Sequence, residues 1–109
     1  MLYLYQDSII LELRKCANKD KNIQAIIVYG SYARKEHQPD SDLDILIVTS
    51  NITKSEQIFS RIKEKIYSET SVPISFCYIA PDKYSNSKNP FINLIKKEGE
   101  IIWSAKKTP

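Results

Sequence analysis

Apolar residues return every three or four positions behind Asp7 and Ser8, at Ile9, Ile10, Leu13, Cys16 and Ala17. That is the spacing of one helix face. Either polar residue offers an oxygen to the first free amides, so the pattern predicts a helix over about 7–19. The polar string "NKDKN" stops it. "IQAIIVYG" and "LDILIVTS" are then nearly unbroken apolar runs rich in β-branched residues, as expected of strands covered on both faces. Between the second run and the next strand, Thr53 followed by Glu56 predicts a capping-box start for a helix whose stripe is Ile58, Phe59, Ile62 and Ile66.

"VPISFCYIA" reads as a third strand, with Pro73 near its beginning where a missing amide is tolerated. Pro81 opens a short turn or helix. Pro90 and Gly99 bracket a last helix, packed through Phe91, Leu94 and Ile95. "EIIWS" predicts a short final strand, and the tail "AKKTP" is expected to fray. The order of elements implies an α/β (α+β) fold, a small mixed β-sheet backed by helices.

Composition narrows the class without naming a function. At 109 residues, with 42% hydrophobic and 27% charged residues, the chain reads as one ordinary globular domain spanning 1–109. A net charge of +3 with scattered lysines does not make a nucleic-acid-binding stripe, so direct nucleic-acid binding is not expected. Cys16 and Cys77 sit in apolar patterns without metal-ligand spacing and read as small core residues, which suits a cytoplasmic location. No apolar run is long enough to span a bilayer, and no leader pattern opens the sequence. His37, the single histidine, lies in the polar loop "KEHQPDS" and reads as solvated. Trp103 and the seven tyrosines read as core or interface residues.

The chemistry concentrates in "YGSYARKEHQPDSDLDILIV". The chain has two glycines, and Gly30 closes a strand, where it permits a sharp turn and the close approach of an anion to backbone amides. If "SYARKE" begins a helical turn, Ser31 and the amides after it face the strand end, a natural phosphate site. Asp42 and Asp44 stand two apart on the next strand and so share a face, while Leu43, Ile45 and Ile47 turn to the core. Paired carboxylates repel unless a cation or a basic neighbour sits between them, and magnesium takes one or two carboxylates together with substrate phosphates.

Gly30-Ser31, ten residues, then Asp42-Leu43-Asp44 resembles the minimal nucleotidyltransferases of the DNA polymerase β-like superfamily. "YIAPDKYSNSKNPFINLIKKEGEIIW" resembles the tail of many small members, so the likeness spans roughly 22–103. The resemblance implies the nucleotidyltransferase fold. It further implies that Gly30 and Ser31 hold the triphosphate of ATP, that Asp42 and Asp44 bind Mg2+, and that a hydroxyl attacks the α-phosphate with release of pyrophosphate. Arg34 matches a basic position that contacts the triphosphate, whereas Lys35 stands where many relatives have glycine.

The resemblance also points to the antitoxin half of toxin-antitoxin pairs. The partner would be a helical HEPN-type ribonuclease that receives AMP on a hydroxyl, and homo- or hetero-oligomers remain open. One departure stands out. Ser75 occupies the place of the third carboxylate that helps bind metal and takes the proton from the attacking hydroxyl. Glu69 and Asp82 are the nearest substitutes along the chain, both outside the strand. The same departure raises the alternative of a binding module that neutralises its partner by contact alone.

Overall fold

The computed structural model describes residues 2–31, 33, 34 and 42–105, with side chains from residue 7 onward. Lys35, His37 and residues 106–109 of the tail lie outside the described residues. The elements run α1 (Leu2–Asn18), β1 (Ile23–Tyr29), β2 (Leu43–Thr49), α2 (Ile52–Thr70), β3 (Ile74–Ile79), α3 (Pro81–Ser85), α4 (Pro90–Glu98) and β4 (Glu100–Ser104). The sheet order is β3-β2-β1-β4. β1 pairs antiparallel with both β2 and β4, while β2 pairs parallel with β3 across the α2 crossover. The expected mixed sheet backed by helices is therefore present.

The two unbroken apolar runs became the two central strands, because only a central strand buries side chains on both faces. Ile26, Val28, Leu43, Ile45, Ile47 and Ile74 pack with Ile9, Leu13 and Ala17 of α1 and with Phe59 and Ile66 of α2. Across the sheet, Ile27, Leu46 and Val48 meet Ile92 and Ile95 of α4, with Cys77, Ile79 and Tyr84 at the margin. Pro73 precedes the edge strand β3, where its carbonyl still accepts a bond from the Leu43 amide at 2.9 Å. Among the described residues no helix is long and apolar enough to cross a membrane.

Three helix details differ from the sequence pattern. α1 starts at Leu2, so Asp7 and Ser8 lie inside it rather than at its N-cap; nothing in "LYLYQ" breaks a helix, and the apolar periodicity alone could not locate its start. α2 is capped by Asn51, whose side chain accepts from the Lys54 amide at 3.0 Å, which places Thr53 two residues past the cap, inside the helix. Asparagine is a cap of the first rank, so it takes the position ahead of threonine. α4 buries Ile92 and Ile95, leaving Phe91 48% and Leu94 46% exposed. Asn89 caps this helix by accepting from the Phe91 amide. At its end, a Cβ on Gly99 would press on the Ile95 carbonyl and on Ile27, so glycine sets how closely α4 lies on β1.

Candidate functional site

The site forms on the α4 side of the sheet, where the smaller core gives way to polar side chains. β1 ends at Tyr29, and Gly30 turns the chain with φ +75°, a conformation that costs other residues strain. The Arg34 amide then donates to the Gly30 carbonyl at 3.1 Å, closing one helical turn that also contains Ser31. A Cβ at Gly30 would collide with the Asp44 carboxylate. The glycine is thus required twice, by its backbone angle and by its neighbour.

Asp44 pairs across β1 with Tyr29 and across the parallel ladder with Ser75. Asp42 is exposed just ahead of β2, and the Ser75 hydroxyl donates to its Oδ2 at 3.0 Å. The site residues named from the sequence therefore converge: Gly30, Ser31 and Arg34 in one turn, Asp42 and Asp44 beside it, and Ser75 on the next strand against Asp42. Glu69 is exposed on α2, behind the other face of the sheet, and Asp82 is exposed in the first turn of α3. Among the described residues no group of three or more metal-ligating His, Cys, Asp or Glu side chains assembles. The side chain that the next strand sets against the aspartate pair is the Ser75 hydroxyl.

Burial, and then the neighbouring Asp42 charge, push the Asp44 carboxyl above its ordinary value, with Arg34 pulling weakly the other way. A carboxylate destabilised by its twin is a site that gains from a cation. Oxygen donors and two negative charges fit magnesium, which keeps its remaining positions for water and phosphate. The fit is one of donor chemistry and charge.

Four neighbours of the site were not apparent from the sequence. Glu98, at the end of α4, pairs with Arg34 at 3.7 Å, so the arginine meets an acid as well as any anion at Gly30. Tyr29, Phe91 and Leu94 join Gly30, Arg34 and Asp44 around a pocket of about 200 Å³. The signal for α4 was the spacing of Phe91, Leu94 and Glu98, three, then four residues apart on one helix face. A larger groove, about 520 Å³, lies between α2 and β3 and is lined by Thr53, Glu56, Phe76 and Tyr78. Phe76 and Tyr78 pack toward the α1/α2 core, so that groove opens on the face opposite the aspartates. Its size carries less weight than the convergence of charge, glycine turn and apolar wall in the smaller pocket.

Comparison with known proteins identifies the family and the fold. The model of the family described as "Polymerase beta, Nucleotidyltransferase" matches residues 12–108. The chain belongs to this nucleotidyltransferase family. No curated protein matches the sequence as a relative. Among solved structures, a candidate nucleotidyltransferase from Sulfolobus solfataricus has 20% identity and a TM-score of 0.57, over 96% of this chain and 81% of that one. A toxin-antitoxin structure with AMP-PNP has 17% identity and a TM-score of 0.60, covering 91% and 73%. A mutant of the toxin-antitoxin pair MntA-HpeT has 14% identity and a TM-score of 0.59, covering 89% and 74%. At these identities the solved structures establish the shared fold. Within that nucleotidyltransferase fold, Gly30, Asp42 and Asp44 of this chain occupy one end of the central strand pair.

Proposed function

We propose that this protein binds Mg-ATP at Gly30, Ser31, Asp42 and Asp44 and transfers AMP to a hydroxyl of a partner protein. In this reading it acts in the cytoplasm as the antitoxin of a helical HEPN-type ribonuclease. The observation that carries the proposal is the aspartate pair set against a glycine turn whose Cβ space is filled by Asp44 itself. Two of the structures that share the fold are toxin-antitoxin structures, one with AMP-PNP. The other is a mutant in which two aspartates, two positions apart, are changed to glutamate. Asp42 and Asp44 have the same spacing.

In the transfer, the acceptor oxygen bonds to the α-phosphorus while the bond from that phosphorus to the bridging oxygen breaks, and pyrophosphate leaves with the electron pair. The turn amides after Gly30 and the Arg34 guanidinium hold phosphate oxygens in line. A bound Mg2+ supplies charge neutralisation of the triphosphate and orientation of its oxygens. The acceptor proton is lost to water, because Ser75 offers no carboxylate to take it.

The hydrogen bond from Ser75 to Asp42 favours a second reading, a nucleotide-binding module that acts by contact. It occupies an oxygen of Asp42 and supplies no base, and losing a positioned base costs about a hundredfold or more in rate. One experiment separates the two: incorporation of α-labelled phosphate from ATP into the co-purified partner, with and without magnesium. The parent is expected to label the partner slowly, Asp42→Asn/Asp44→Asn not at all, and Ser75→Asp well above the parent. Absence of label with both the parent and Ser75→Asp would leave contact as the function.

A further inference from the structure

The pocket beside Asp44 has walls of a different character from the turn that faces the phosphates. Tyr29 and Phe91 stand edge to face, 5.6 Å between centroids and 84° between planes, which makes an aromatic corner. Leu94 and Ile95 continue the wall, and the Arg34-Glu98 pair lies at its polar end. The corner is held from behind. The Tyr29 hydroxyl donates to Cys77 Sγ at 3.3 Å, Ile92 and Ile95 fix α4 on the sheet, and Lys96 ties α4 to α3 through the Ser85 carbonyl and the Tyr84 ring. Yet Phe91 and Leu94 remain about half exposed. Large apolar side chains on a rigid wall, left open next to a charged site, present surface for a flat apolar group.

We infer that this pocket seats the base of the nucleotide, with Phe91 and Leu94 as its binding residues. The inference rests on the proposed Mg-nucleotide site and extends it. Gly30, Arg34 and Asp44 belong to both the pocket lining and the phosphate end, so whatever fills the pocket is continuous with the triphosphate, and the nucleoside is the group attached there. A volume of about 200 Å³ is below the roughly 300–1,000 Å³ that takes a drug-sized ligand, which suits one planar ring system. The base stacks in the Tyr29-Phe91 corner with its far edge toward Arg34 and Glu98. An aromatic side chain of the partner is the competing occupant, and contiguity with the phosphates favours the base.

Two ligands that share a triphosphate and differ in the nucleoside provide the test. Calorimetry with Mg-ATP and with Mg-tripolyphosphate is run on the full chain, on Phe91→Ala and on Leu94→Ser, exposed positions at which folding is retained and is checked by circular dichroism. Phe91→Ala is expected to bind ATP about tenfold more weakly, in line with the loss of one stacking contact, and Leu94→Ser also more weakly through lost apolar contact, while tripolyphosphate affinity stays within twofold of the parent. Unchanged ATP affinity in both variants overturns the inference while leaving the nucleotide site standing, and so does weakened binding of the partner with ATP affinity intact. Failure of the parent to bind either ligand removes the nucleotide site and the base pocket together.

Discussion

The two faces of the sheet divide the work of the protein. On the α1/α2 face, Ile45, Ile47 and Phe59 are fully buried and the aliphatic core is continuous from β3 to β4. On the α4 face the core is about a third of that size and stops at Asp44, Gly30 and Ser75. Alternation along one strand produces the division: Leu43, Ile45 and Ile47 go one way, Asp44, Leu46 and Val48 the other. One face supplies stability so that the other can hold like charges together. Substitutions on the two faces should therefore dissociate folding from ligand binding.

The largest effect is expected on the stabilising face. Phe59 is 0% exposed and packs on Phe76 with 5.3 Å between ring centroids. Phe59→Ala should cost about 3–5 kcal/mol, a large part of the roughly 5–15 kcal/mol that holds a domain together. Urea denaturation followed by circular dichroism measures it. A loss below about 1 kcal/mol would show that the face is less tightly packed than its burial indicates.

Next comes the hinge between the faces. Gly30→Val places a β-branched side chain at φ +75° and against Asp44, with a cost of about 1–3 kcal/mol for the backbone conformation. Its effect on function should be greater than that on folding. The rise in melting temperature that Mg-ATP gives the parent by mass action should disappear in a variant that still unfolds cooperatively. An undiminished ligand shift would reduce Gly30 to a turn residue.

What the sequence made legible follows the same division. Strands, sheet class and the Gly30, Asp42 and Asp44 cluster were readable because strand alternation and glycine geometry are local properties. The family resemblance pointed to Ser75, and the parallel β2-β3 register sets it opposite Asp44. The start of α1 was missed because no breaker marks it. Thr53 and Glu56 have capping-box spacing, but Asn51 stands two residues earlier and takes the cap. In α4 the periodicity admits two apolar stripes, and only contact with Ile27 and Leu46 decides that Ile92 and Ile95 are the buried ones. Glu98 could not be read at all as a neighbour of Arg34, since 64 positions separate them (98 − 34 = 64) and the fold alone brings them within 3.7 Å.

The smallest effect has the most informative sign. The Asp44 carboxyl titrates above its ordinary 3.8 because of burial and Asp42, so the folded protein holds that proton more tightly than the unfolded chain does. The associated stabilisation is fully present below the unfolded value and is lost as pH rises through the folded one. At neutral pH the ionised pair is therefore a burden on the metal-free fold. Asp44→Asn removes it and should raise the melting temperature at pH 7 by about 2 °C, a size set by the partial exposure of the pair. The advantage should shrink as pH falls, and vanish where Asp44 of the parent is protonated in both states. With Mg-ATP added the order should reverse, because the parent gains ligand stabilisation and the variant does not. Differential scanning fluorimetry across pH, with and without Mg-ATP, reads both parts. If Asp44→Asn is less stable than the parent in the absence of ligand, the carboxylate is a structural group, and the contrast between the two faces does not extend to their electrostatics.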